Sequence, residues 1–290
     1  MTDRNELTKL MKDLSETDGV PGFERDVRLK MKEYLEPVSS EILQDRLGGI
    51  VGKKVGSENG PRILLAGHLD EIGWMVTHIT DAGYIKLQQL GGWWPHVMLS
   101  QRVKIKSRKG DIIGLVGSKA PHALSAEERD KVQKLSDLFL DVGAKDKAHA
   151  QEMGIRPGDW VVPVSEFMTM RDGELWAGKA LDNRLGCALA LEVMKRLEGE
   201  QHDNVVYGGA TVQEEVGTRG AQVMSHLVQP DIAFALDVGL AYDHPGYDTA
   251  NLAPANVGGG PLIFIYDALM IAHQGLRDLV MDTAEELGLP

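Results

Sequence analysis

The sequence predicts an α/β fold: a mainly parallel central sheet flanked by helices, interrupted by a small β-rich, barrel-like domain. Three observations carry this expectation. Short apolar runs that end in polar residues, such as Arg62–Asp70, or lead into them, such as Val205–Val212, have the texture of buried parallel strands. Helical spacings alternate with such runs before Ile72 and again after Lys179. Between Ile72 and Ser165 the pattern changes to short alternating segments separated by glycines, with few long helices. The expected organisation is a discontinuous main domain, residues 1–71 and 166–290, with residues 72–165 inserted into it as a β domain.

The elements follow in order. Leu7, Leu10, Met11 and Leu14 share one face of a first helix. A turn at Gly19–Gly22 leads to a second helical pattern, Val27, Leu29, Met31 and Leu35. Strands are predicted at Ile50–Val55 and Arg62–Asp70, and shorter ones at Val103–Ser107 and Asp111–Val116. Ser125–Leu140 reads as an exposed, charged helix capped by Ser125. A helix at Gly186–Leu197 precedes a strand at Val205–Val212, and a further helix precedes a strand at Ile232–Asp237. A strand at Leu262–Ile265 and a helix at Ala268–Leu287 complete the pattern.

Composition narrows the function classes. Of 290 residues, 31 are basic and 43 acidic, a formal charge of −12, which argues against a nucleic-acid or anionic-membrane surface. No apolar run approaches the roughly eighteen residues of a membrane-spanning helix. The N-terminal stretch lacks the apolar core of a signal peptide. Cys187, the single cysteine, excludes a disulfide framework within the chain and favours a reducing compartment. A cytoplasmic protein is expected.

The chemistry gathers at the ends of the predicted strands. His68 and Asp70 close one strand, Asp182 lies in a turn before a helix, Glu214 and Glu215 follow another strand, and Asp237 ends a further one. The C-terminal ends of parallel strands line one crevice, where such folds place their sites. Carboxylates collected there repel one another unless cations hold them, so a metal site is the economical reading. His68 and Asp70, two apart on a strand, face the same way, so an imidazole nitrogen can bind metal while the carboxylate orients the ring. Taken singly, each residue has a plainer reading: a core histidine, a turn or helix-capping aspartate, a solvated pair of acids. Imidazole and oxygen donors without thiolate suit zinc, cobalt or manganese. Cys187, in an apolar helix, reads as core packing.

The segments Gly67–Gly73 (GHLDEIG), Lys179–Gly186 (KALDNRLG), Gln213–Gly220 (QEEVGTRG) and Leu236–Gly239 (LDVG) resemble the motifs of the tetrahedral metalloaminopeptidases. That family includes glutamyl and deblocking aminopeptidases, and some members have been labelled endoglucanases. Gly91–Pro95, Gly117–His122 and Gly158–Trp160 resemble its inserted domain, so the likeness runs over essentially the whole chain. The resemblance implies two divalent metal ions, zinc or cobalt or else manganese. One is held by His68, Asp182 and Asp237, the second by Asp182, Glu215 and a later histidine. It implies Glu214 as general base, Asp70 as the partner that orients His68, peptides as substrates, and self-association through the β domain into dimers and a tetrahedral dodecamer.

One departure accompanies the resemblance. The family's last metal-binding histidine lies beyond the helix corresponding to Ala268–Leu287, and the sequence runs only to Pro290, so the expectation is either a C-terminally shortened product or a partial record of a longer one. His273 does not stand at that motif position and reads as part of an amphipathic helix. The competing expectations are an assembly-only or metal-binding remnant, and a glucanase. The histidine among the carboxylates argues against the last.

Overall fold

The computed structural model describes residues 3–247 and 255–290. Along the chain these form α1 (Arg4–Glu16), α2 (Arg25–Leu35), β1 (Glu41–Gln44), β2 (Ile50–Val55), β3 (Arg62–His68), β4 (Gly73–Ile79) and β5 (Ile85–Leu90). There follow β6 (Arg102–Ser107), β7 (Gly110–Gly117), α3 (Ala126–Arg129), β8 (Phe139–Asp141), α4 (Lys147–Glu152) and β9 (Trp160–Pro163). The last group is β10 (Met168–Met170), β11 (Leu175–Ala177), α5 (Leu181–Arg196), β12 (Val205–Thr211), α6 (Arg219–Val228), β13 (Ile232–Ala235) and α7 (Gln274–Glu286). Two compact units result, Met1–Asp237 and Val238–Pro290.

The first unit holds a five-stranded sheet ordered β1-β2-β12-β3-β13 and a closed barrel β4-β5-β8-β7-β6-β9. The α/β class with a β barrel is therefore as the sequence predicts. The sheet itself is mixed. β12, β3 and β13 run parallel, whereas β2 pairs antiparallel with both β1 and β12. The two parallel pairs align the C-terminal ends of three strands, with Thr211 opposite His68 and Ala235 opposite Ala66.

Periodicity explains which faces are buried. Leu10, Met11 and Leu14 of α1 and Val27, Met31 and Leu35 of α2 pack with Ile50, Leu191 and Ala210. Leu29, expected on that face of α2, is instead 45% exposed, because only the positions four apart keep to the stripe. On the other face of the sheet, Met224 and Val228 of α6 cover Val51, Leu64 and Tyr207. Every residue of β12 is buried, as expected of a strand covered on both faces. The barrel has its own core, including Trp74, Ile85, Val103, Ile105, Leu140 and Val161. Trp93 packs against Trp74 with ring centroids 4.2 Å apart and the rings tilted by 30°, while Trp94 is exposed.

Three predicted elements differ. The helix expected over Ser125–Leu140 is one short turn, α3, with Ser125 and Glu128 forming a capping box. Its residues bury no apolar face, so packing does not extend it. In the second unit Leu262–Ile265 forms no strand; among the described residues the β pairing there is a single bridge, Tyr266 to Ile271. An extended segment needs a ladder partner, and the described residues supply none. The following helix starts at Gln274 rather than Ala268. His273 is its N-cap, Nδ1 accepting from the Leu276 N–H at 3.3 Å, rather than a residue inside the helix.

Candidate metal centre

The strand ends place the site. His68 is the last residue of β3, and its ring is buried. Nδ1 lies 3.0 Å from the Asp70 carbonyl oxygen and 3.5 Å from Asp70 Oδ1. Nε2 points the other way, 3.1 Å from Asp182 Oδ1 and 3.8 Å from Glu214 Oε2. The ring thus has an orienting partner on one nitrogen and a carboxylate cluster on the other.

Asp182 reaches His68 because β3 and α5 approach closely. A Cβ on Gly67 would stand 2.5 Å from the Cys187 nitrogen, and one on Gly186 would stand 2.2 Å from the Leu236 carbonyl oxygen. Only glycine allows these backbones to meet. At the head of α5, Asp182 and Asn183 have non-helical backbone angles and the peptide between them is cis. The Asn183 Oδ1 accepts the Gly186 N–H at 2.9 Å in the manner of an N-cap, and its Nδ2 donates to the Leu236 carbonyl at 2.7 Å. Asn183 therefore ties the Asp182 turn to the segment that leads into Asp237.

Asp70 is fully buried and organises the turn after β12. Its Oδ1 and Oδ2 accept the N–H groups of Glu214 and Glu215, both at 3.0 Å. Burial opposes its charge, but the hydrogen bond and charge of His68, with those two N–H donors, hold it below the ordinary carboxylate range. Glu214 and Glu215 lie just beyond β12, past Gln213 in a left-handed conformation. Burial and then the neighbouring carboxylates raise both, with Asp182 the leading neighbour of Glu215, which is lifted to about 7.

His68, Asp182 and Asp237 each offer one donor atom, and these atoms all lie within 4.8 Å of one another. Glu215 is outside that group and lines a neighbouring cavity of about 370 Å³ with Asp182, Ile72, Trp93, Pro163 and Leu181. The donor set fits a divalent cation on chemical grounds. Burial disfavours a charge on His68, yet the hydrogen bonds of Asp182 and Asp70 prevail and raise it to about 10. Oxygen and imidazole donors are those of zinc, cobalt and manganese sites.

The sequence profile of the M42 glutamyl aminopeptidases matches residues 48–290. The chain belongs to that family. It is 36% identical over 282 residues to the glutamyl aminopeptidase of Lactococcus lactis, covering 96% of this chain and 78% of that protein. Its fold is similar to a TET aminopeptidase from a marine-sediment Thaumarchaeota archaeon, with TM-score 0.95 and 41% identity over 99% of this chain and 80% of that one. The TET1 peptidase of Pyrococcus horikoshii, which can assemble into a tetrahedron or a large octahedral shell, matches with TM-score 0.84 and 29% identity over 97% and 82% of the two chains. As an M42 member the chain is a hydrolase of the aminopeptidase class, and the histidine–carboxylate cluster is a candidate site for a divalent metal. Among the described residues no helix is long and apolar enough to cross a membrane.

The M42 motifs also contain residues that sequence reasoning passed over. Arg184 is fully buried; its Nε donates to the Leu69 carbonyl at 2.8 Å, and its terminal nitrogens reach the carbonyls of Leu14, Thr17 and Gly19. It thereby fixes the backbone between His68 and Asp70. Lys179 and Glu71 form a buried ion pair at 2.6 Å. The signal was their place in the quoted motifs, next to the ligand candidates. Cys187 is core, as the sequence predicts, with its thiol donating to the His68 carbonyl at 3.2 Å.

Proposed function

We propose that this M42 member removes N-terminal residues from peptides using two divalent metal ions. His68, Asp182 and Asp237 hold one ion; Asp182 and Glu215 serve the second, together with the later histidine that the family resemblance implies. When bound, such ions polarise the scissile carbonyl and lower the pKa of an attacking water. The observation that carries the reading is the convergence of His68, Asp182 and Asp237 with Glu214 alongside, its Oε2 3.8 Å from His68 Nε2.

Glu214 is the general base. Its raised pKa, caused first by burial, suits a group that accepts a proton from water and then delivers it to the leaving amine. Asp70 holds the Glu214 and Glu215 backbone in place through their N–H groups, so it positions the base as well as His68. The cavity beside Asp182 and Glu215, with Ile72, Trp93, Pro163 and Leu181 on its walls, is suited to a substrate side chain.

Residues 72–165 act as an association domain, and residues 1–71 and 166–290 as the catalytic domain. The exposed Ile113 and Leu115 on β7, with Trp94, supply apolar surface for dimers and for a tetrahedral dodecamer. A cytoplasmic location is in keeping with the single, buried, unpaired cysteine. Zinc and cobalt are the expected ions.

The test is elemental analysis of purified protein together with turnover of a panel of aminoacyl anilides and of carboxymethylcellulose. Anilide turnover that needs zinc or cobalt, with loss of roughly 10²–10⁴-fold in Glu214→Gln at unchanged metal content, is the expected result. Cellulose hydrolysis, or full anilide activity in Glu214→Gln, overturns the reading.

A further inference from the structure

Two of the three clustered donors stand where regular structure stops. His68 closes β3, and Asp182 lies in the non-helical turn at the head of α5. Neither a sheet ladder nor a helical hydrogen bond fixes the distance between these two segments.

Beyond the close approach at Gly67 and the bonds of Arg184 and Cys187 to the Leu69 and His68 carbonyls, a buried ion pair spans them. Glu71 follows Asp70 directly, and Lys179 precedes Asp182 by three residues. Lys179 Nζ lies 2.6 Å from Glu71 Oε1, and the two side chains are only 6% and 2% exposed. The same Oε1 accepts the Gly19 N–H at 3.1 Å, while the Glu71 N–H donates to the Gly19 carbonyl at 2.9 Å. Arg184 adds a second cation 3.7 Å away. Lys179 also stands 3.2 Å from Asp18 Oδ1, an ion-pair contact without hydrogen-bond alignment. Asp18 Oδ2 in turn accepts from Lys104 at 2.8 Å and Lys106 at 3.2 Å, both on barrel strand β6. The network therefore runs from the barrel through Asp18 and Lys179 to the residue beside Asp70.

Burying several charges costs stability compared with an apolar core, so such a network is poorly explained as mere reinforcement. Its geometry, in contrast, fixes one relation: the placing of the β3 end against the α5 head.

We propose that Lys179 and Glu71 are positioning residues that clamp the His68–Asp70 segment to the Asp182 turn, and so set the spacing of the metal donors. The clamp rests on the reading of His68, Asp182 and Asp237 as metal holders. Lys179, held by two carboxylates, does not itself ligate. Without it Glu71 is a buried charge lacking its main partner, and relaxes toward solvent or other donors, carrying Asp70 and His68 with it. Groups that orient metal ligands in this way typically account for ten- to a hundredfold in metal affinity.

The experiment is cobalt(II) binding, measured by calorimetry and by the visible absorption of the bound ion, beside thermal melts. It compares the full chain with Lys179→Met, Lys179→Arg and the Glu71→Gln/Lys179→Met double variant. Lys179→Met should bind cobalt about ten- to a hundredfold more weakly with an altered spectrum, and Lys179→Arg should recover to within about threefold of the parent. If Lys179→Met gives no cooperative melt, the double variant, which removes both charges together, is read instead and should show the same loss. A folded Lys179→Met or double variant that binds cobalt like the parent overturns the clamp, however far its melting temperature falls. Absence of cobalt binding in the parent sinks the metal reading itself, and the clamp with it.

Discussion

Replacing Glu24 by glutamine should change how the stability of the whole chain depends on pH. Glu24 is 5% exposed at the start of α2, and its Oε1 accepts the N–H groups of Gly22 at 2.8 Å and Gln213 at 3.1 Å. Burial, and with it the charge of Asp70, prevails over those donors and lifts the carboxyl from 4.5 to about 7. The folded state thus keeps a proton that the unfolded chain has released between these two values. Where the native state binds more protons, stability falls as pH rises, so the contribution is fully present below pH 4.5 and lost as pH passes about 7. The difference between about 7 and 4.5, at about 1.4 kcal/mol per pH unit, is worth ~3 kcal/mol. Glu24→Gln keeps the volume and the acceptor oxygen but cannot ionise. Urea unfolding of chelator-treated protein should show parent and variant nearly equal at about pH 4.5, and the variant more stable by ~3 kcal/mol at about pH 8. Titrating groups that do not interact with Glu24 are common to both proteins and cancel in the comparison. A difference between the two proteins that stays constant to within about 0.5 kcal/mol across that range would refute the reasoning.

Three further outcomes are expected. Gly67→Ala places a Cβ 2.5 Å from the Cys187 nitrogen and 2.6 Å from the Gly186 carbonyl carbon, both backbone atoms that cannot rotate away. It should cost ~1–3 kcal/mol and weaken metal retention, and an unchanged melt with full metal content contradicts this. Arg184→Met leaves the carbonyls of Leu14, Thr17 and Leu69 without their buried donor, so urea unfolding should register a loss of ~3–5 kcal/mol; a loss below about 1 kcal/mol argues that water replaces the guanidinium. Burial pushes the Cys187 thiol up to about 12, so native protein should resist Ellman's reagent at about pH 8 and react fully in guanidinium. Rapid labelling of the native chain means that α5 opens locally.

Much of the fold is legible in the sequence because each element reports its own environment. The stripe Leu10, Met11, Leu14 on α1 and the continuous apolar run of β12 say which surfaces are covered, whatever covers them. The ligand candidates are legible for a related reason. His68, Glu214, Glu215 and Asp237 are polar residues set at or just past the ends of apolar segments, and Asp182 stands in the turn ahead of a helix, where exposure to a crevice is the economical explanation. The same local logic misleads at Ser125–Leu140 and Leu262–Ile265. Over Ser125–Leu140 helical propensity yields to the barrel, which takes Phe139–Asp141 as β8 and buries Leu138 and Leu140, whereas at Leu262–Ile265 extended propensity meets no ladder partner among the described residues.

The sequence by itself determined the α/β class, the β-rich interruption and the chemical character of the site. Only the tertiary structure decided that β2 joins the sheet antiparallel, that three donors meet within 4.8 Å, and that Lys179 finds Glu71 across 108 residues of chain. The physical reason is that periodicity and propensity are properties of one segment, whereas a metal cluster or a buried ion pair is a set of distances between segments. Those distances follow from backbone approaches such as that of Gly67 to Gly186, and from buried charges such as Arg184 whose partners lie far away in sequence.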